Sequence, residues 1–134
     1  MSVEYLDAED VLEIHALQLA EFGGMPGVRD RGLLESAVAQ PQASAFGALI
    51  HKDVVAMAAA YLFHIVRNHP FVDGNKRAVL LAALVFLDLN GYDVPAEAPE
   101  LYDVTIGVAE GALSKEVVDA TLRGLARLKS EGDH

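Results

Sequence analysis

Two nearly unbroken apolar stretches, residues 54–66 and 78–87, flank a short polar segment at the centre of this 134-residue chain. Apart from His64, every residue from 54 to 66 is apolar, and from 78 to 87 there is no polar residue at all. A helix that is apolar all round has no face to offer water, so it belongs inside a core. Neither stretch reaches the roughly 20 residues that a membrane span needs. Asp53 is placed to cap the first as a helix, and Pro70 breaks it. The second begins at about Asn75 and stops at Asn90-Gly91. The chain is thus committed to a buried helical hairpin. Each large aliphatic side chain buried there contributes roughly 1.5–3 kcal/mol, and the other segments must cover the pair.

Those segments carry helical punctuation. Asp7 caps a helix with Glu9 and Asp10 in its first turn, where acidic groups complement the helix dipole. Val11, Leu12, Ile14, Leu17 and Leu19 follow at three- and four-residue steps until Gly23-Gly24 ends the run. The stretch from Gly23 to Gly27 reads as a loop. Asp30 caps a short helix through Leu33, Leu34, Ala37 and Val38 that stops near Pro41. Residues 41–51 lose any period and read as a loop or a small hairpin. Residues 92–95 are a short extended piece, Pro99 suits the first turn of a helix to about Glu110, and Ser114 caps a last helix through Val117, Val118, Leu122, Leu125 and Leu128. The tail, residues 130–134, is polar and expected to fray. Almost nothing reads as a strand, so the expected class is all-α, in one domain spanning residues 1–134.

Charge narrows the partners. Ten Lys and Arg against twenty Asp and Glu leave a net charge of −10, which disfavours direct binding to nucleic acid or to an anionic membrane. No cysteine is present, which excludes disulfides and thiolate metal sites. Residues 1–7 lack the basic-then-apolar pattern of a secretory signal. Together these features lead to the expectation of a cytoplasmic protein.

The polar segment between the apolar stretches is His69-Pro70-Phe71-Val72-Asp73-Gly74-Asn75-Lys76-Arg77. It places an imidazole, a carboxylate, an amide and two cations directly before a helix N-terminus. Such a terminus offers unpaired N–H groups and a partial positive charge to anions. Gly74 lets a phosphate approach the backbone, and Asn75, Lys76 and Arg77 add donors, Arg77 with a planar fork. Asp73 cannot bind an anion, but beside a phosphate it can hold Mg²⁺. His69 supplies an imidazole, the side chain type suited to proton abstraction near neutrality. Pro70 and Phe71 are the apolar staples of the loop. A plain cap followed by a solvated charged edge accounts for each residue singly; the combination favours a phosphate-handling site.

The string resembles the signature of the Fic/Doc (Fido) superfamily, and its Asn-Lys-Arg ending resembles the death-on-curing (Doc) branch. Gly23-Gly24-Met25-Pro26-Gly27, Gly32-Leu33-Leu34-Glu35-Ser36-Ala37, Arg67-Asn68 and Phe86-Leu87-Asp88-Leu89-Asn90-Gly91 extend the likeness over most of the chain. The resemblance implies a Fido-type helical bundle and a toxin of a toxin–antitoxin pair. It implies a kinase that uses ATP and Mg²⁺ to phosphorylate a threonine or serine of a protein, elongation factor Tu being the implied target, so that translation halts. Residue by residue, His69 is the implied general base, with Lys76 and Arg77 completing the catalytic set. Gly74, Asn75, Lys76 and Arg77 are the implied phosphate binders, and Asp73 the implied Mg²⁺ ligand. AMP-transferring relatives have Gly where Lys76 stands and a second Arg where Leu80 stands, so both departures point to the Doc branch. The implied partner is an antitoxin whose disordered segment folds onto an apolar groove. Two alternatives keep the fold: transfer of AMP, or a catalytically silent binding module regulated by an antitoxin.

The other histidines have blander readings. His64 lies five residues before His69, poor spacing for a shared helical face, and reads as an ordinary helix residue. His15 and His51 lack partners at ligand spacing and are expected at the surface. Tyr61, Phe63, Phe71 and Phe86 read as core. For residues 41–51 the resemblance implies a flap that clamps the target peptide by strand addition, with a plain surface loop as the alternative.

Overall fold

Helices form where the caps predict them. The computed structural model describes residues 2–95 and 98–129. Helix α1 (Ala8–Phe22) opens on a reciprocal capping box: the Asp7 side chain accepts the Asp10 N–H at 2.9 Å, and the Asp10 side chain accepts the Asp7 N–H at 2.9 Å. The Asp30 carboxylate accepts the Leu33 N–H at 3.0 Å to start α2 (Arg31–Ala39), which tightens into a 3₁₀ turn around the buried Pro41. Residues 41–51 then hold an antiparallel hairpin, β1 (Ser44–Ala45) and β2 (Ala48–Leu49), with Phe46 fully exposed at its tip.

Helices α3 (Val54–Asn68) and α4 (Asn75–Leu89) are the expected central hairpin. Helix α3 contacts α2, α4, α5 (Pro99–Ala109) and α6 (Lys115–Leu125), while α1 lies across α4. Tyr61, Leu62 and Ile65 of α3 and Val79, Phe86 and Leu87 of α4 are fully buried, as their all-round apolar character requires. The Tyr61 hydroxyl sits among them because the Leu6 backbone satisfies it twice, donating at 2.9 Å and accepting at 3.0 Å. Burial pushes its pKa up to about 12.

Three expectations need correction. The last helix ends at Leu125, not Leu128: Ala126 is extended, and β4 (Arg127–Leu128) pairs antiparallel with β3 (Tyr92–Asp93). This pairing, continued by the Lys129 N–H to the Gly91 carbonyl at 2.9 Å, is a long-range contact that helical periodicity does not encode. His15 and His51 are buried rather than superficial, at 5% and 6% exposure. Each finds a polar partner inside, which makes its burial affordable. Ser114 occupies the cap position of α6 without a side-chain hydrogen bond. The expectation for the tail falls outside the described residues. Among the described residues no helix is long and apolar enough to cross a membrane.

Candidate active site

The turn between α3 and α4 is built by three devices that act on nine residues. The first is the end of α3. His69 adopts left-handed backbone, φ 49° and ψ 57°, while its N–H still bonds the Ile65 carbonyl at 3.0 Å. Pro70 prevents further helix, and the left-handed residue swings the chain away with the His69 ring exposed. A non-glycine residue in this region costs on the order of 1–3 kcal/mol. Arg29 offsets part of it by closing the helix end: its Nε donates to the His69 carbonyl at 2.7 Å and its Nη2 to the Asn68 carbonyl at 2.9 Å.

The second device is a strap from the loop after α1. The Val72 N–H bonds the Gly27 carbonyl at 3.1 Å, and the N–H groups of Arg29 and Asp30 share the Pro70 carbonyl at 2.6 and 3.1 Å. Val28 and Phe71 form an isolated antiparallel bridge. The third is Asn75, which is buried. Its Oδ1 accepts the Phe71 N–H at 3.0 Å and its Nδ2 donates to the Phe71 carbonyl at 2.8 Å. Nδ2 also lies 3.4 Å from His69 Nε2. The Asn75 side chain therefore ties the loop together, and the group it leaves for an anion is its backbone N–H.

Gly74 occupies the cap of α4 with φ 74°, and no side chain caps the helix. The first-turn N–H groups of a 15-residue helix thus face the adjoining cleft, with Lys76 and Arg77 exposed beside them. The Asp73 carboxylate is pinned by two backbone donors, Met25 N–H at 3.0 Å on Oδ2 and Gly74 N–H at 2.8 Å on Oδ1. Those two bonds hold its carboxyl below the usual range, with smaller help from the charges of His15 and Arg77. The Arg77 guanidinium stacks over the Phe22 ring, 4.5 Å from its centroid. The cleft measures about 630 Å³. His69, Asp73, Gly74, Asn75, Lys76 and Arg77 all line it, together with Tyr102 of α5 and Glu110 at the C-terminal cap of that helix. One cleft thus gathers an imidazole, a carboxylate, two cations and an uncapped helix N-terminus.

The residues gathered in this turn are those whose string resembles the signature of one family. A sequence model of that family matches residues 5–87, which contain the whole turn and its strap. The chain belongs to the Fic/DOC family. Two curated relatives of this Fic/DOC domain align over nearly their full lengths. "Protein kinase doc" of Escherichia phage P1 is 37% identical over 123 residues, 92% of this chain and 96% of that protein. "Toxin Doc" of Mycolicibacterium smegmatis is 40% identical over 131 residues, 96% of this chain and 98% of that protein. The mostly helical architecture agrees with a Fido-type bundle.

Reading the Fic/DOC sequence alone missed three contributors to the turn. The Arg29 guanidinium reaches backbone carbonyls and the Met25 backbone N–H reaches a carboxylate, each on a segment distant in the chain, and such side chain-to-backbone pairings leave no pattern in a sequence. His15 did leave a signal: it follows the fully buried Val11 by four residues, and so shares its inward face on α1. Its ring stacks on Phe71, with centroids 3.8 Å apart and planes within 6°, and its Nε2 lies 2.7 Å from the Asp73 carbonyl oxygen. His51 and His64 meet elsewhere, at the start of α6, where Lys115 Nζ is 3.1 Å from His51 Nε2 and 3.3 Å from His64 Nε2. Burial, followed by the Lys115 charge, lowers both; His64 falls to about 4. Both imidazoles are therefore neutral acceptors of the ammonium near pH 7.

Proposed function

We propose that this chain is a Doc-type toxin kinase that moves the γ-phosphoryl group of ATP onto a serine or threonine hydroxyl of a protein. The observation that carries the reading is the cleft shared by an exposed His69, the uncapped N-terminus of α4 and the cations Lys76 and Arg77. The name "Protein kinase doc", borne by a relative at 37% identity, gives the chemistry its direction.

In this reading the phosphates of ATP lie against the N–H groups of Asn75, Lys76 and Arg77, and Gly74 leaves them room. Lys76 and Arg77 neutralise charge as it shifts onto the leaving phosphate. The acceptor hydroxyl gives its proton to His69 while its oxygen bonds to the γ-phosphorus. The bond from that phosphorus to the bridging oxygen breaks, and ADP departs. Asp73 is suited to hold Mg²⁺: its carboxylate is ionised, exposed and aimed by two backbone bonds that leave lone pairs on both oxygens. Among the described residues no three His, Cys, Asp or Glu side chains converge on a metal position, so the remaining ligands would be phosphate oxygens and water. Held there, the ion would supply charge neutralisation.

Elongation factor Tu is the target that the family resemblance implies. The partner is an antitoxin supplied in trans, whose segment folds onto apolar surface such as the exposed Phe22 and Met25 beside the cleft. Incubation with bacterial lysate and ATP labelled at the α or the γ position tests the reaction. Transfer of γ label supports the kinase, transfer of α label replaces it with nucleotidyl transfer, and no label on any protein leaves a binding module.

A further inference from the structure

The Asp73–Gly74 peptide has an exacting task. Its carbonyl faces α1 and its N–H bonds the Asp73 carboxylate, so one planar unit fixes both the carboxylate and the entry into α4. Nothing in the local backbone enforces that orientation. Gly74 sits at φ 74°, and glycine tolerates both signs of φ, so rotation of this peptide is cheap. A contact from another element has to hold it.

His15 is that contact. A carbonyl oxygen can only accept, so the 2.7 Å separation from Nε2 means that His15 donates its Nε2–H to Asp73. The ring is 5% exposed, and stacking on Phe71, itself fully buried, fixes its plane. The ring also lies directly against the glycine: a Cβ added at Gly74 would make ordinary van der Waals contact with His15 Nε2 at 3.5 Å and with Leu19 Cδ2 at 3.4 Å. We propose that His15 is a positioning residue: by clamping the Asp73 carbonyl from α1, it sets the aim of the Asp73 carboxylate and of the α4 N-terminus at once. The inference rests on the reading that this cleft takes the phosphates of a nucleotide. It assigns His15 no contact with substrate.

The test compares His15→Leu, which keeps apolar bulk and deletes the donor, with His15→Gln, which retains an N–H donor. The first measurement needs no nucleotide: hydrogen exchange of the Gly74 amide in the free, full-length protein. The leucine protein should exchange at least about tenfold faster at Gly74, whereas the glutamine protein stays near the native rate. The second is ADP affinity by calorimetry with and without Mg²⁺. Partners behind a metal ligand typically govern about 10- to 100-fold, so the leucine protein should weaken by about tenfold or more with Mg²⁺ and the glutamine protein much less. A folded leucine protein with native exchange at Gly74 and native ADP affinity overturns the proposal. So does equal loss in both variants, which would make His15 mere packing. If the leucine protein does not fold, His15→Gln decides, since native exchange supports the hydrogen bond and fast exchange refutes it. A native protein that fails to bind ADP would refute the nucleotide reading of the cleft and leave Gly74 exchange to settle His15.

Discussion

Replacing Gly24 by Ala should damage the site far more than it damages the fold. Gly23 and Gly24 both sit at positive φ, +79° and +126°. Such backbone strains any residue with a Cβ by about 1–3 kcal/mol. For a chain of this size that lowers Tm by about 3–5 °C per kcal/mol in either variant. The surroundings then separate the two. A Cβ at Gly23 meets nothing within 4 Å, whereas one at Gly24 would lie 2.9 Å from Asp73 Oδ2 and 2.9 Å from Leu19 Cδ2. Leu19 can turn aside. The Asp73 carboxylate cannot move without breaking the bond from the Met25 N–H. Misplacing a reacting or metal-binding group by 1 Å can cost about 10²-fold in rate. Gly24→Ala should therefore lose about 10- to 100-fold of phosphoryl transfer at matched folded fraction, with Gly23→Ala close to native. Titration of the Asp73 carboxyl by NMR gives an independent readout. Loss of the Met25 bond should raise its pKa towards the ordinary carboxylate value in Gly24→Ala and leave it depressed in Gly23→Ala. Equal activities and equal Asp73 titrations in the two variants would refute the argument that the glycine loop aims Asp73.

Further outcomes follow from the same geometry. His69→Ala should retain the fold, because the ring is exposed, and lose about 10²- to 10⁴-fold in transfer rate; undiminished growth arrest by the soluble variant would remove His69 as the base. Lys76→Gly should sharply lower γ-phosphoryl transfer, and with Leu80→Arg should permit some AMP transfer, which mass spectrometry of the target distinguishes as a phosphate or an AMP adduct. An AMP adduct from the native protein would refute the role given to Lys76. Acid should weaken the fold through His64, whose pKa of about 4 lies below its ordinary 6.5. Between those values the unfolded chain binds the extra proton, so stability is full above pH 6.5 and falls as pH drops towards 4. A sealed group would lose about 3 kcal/mol over that span, and the half-buried His64 about 1–2 kcal/mol once solvent screening is counted. Lys115→Met should make the loss shallower in urea titrations across the same range, and an unchanged slope would deny the coupling.

The amino-acid sequence alone determined the central hairpin, because two apolar segments without a wet face have one place to go. Asp7, Asp30 and Asp53 marked three helix starts, since a cap is a local bond between residues three apart. The motif from His69 to Arg77 located the candidate site, because its ingredients are contiguous in the chain. Tertiary structure decided what closes over those ingredients. The strap at Gly27 to Asp30, the Met25 N–H on Asp73 and the Arg29 cap on α3 each join positions about 40 or more residues apart through backbone groups. Each has a backbone group on at least one side, which singles out no partner residue type, so composition carries no trace of the pairing. Long-range pairing likewise drew Arg127 and Leu128 from the expected helix into β4. His15 and His51 looked superficial because polarity is a property of the residue, whereas burial depends on a partner brought from elsewhere. Asp73 supplies that partner for one and Lys115 for the other, and neither pairing exists until the helices have packed.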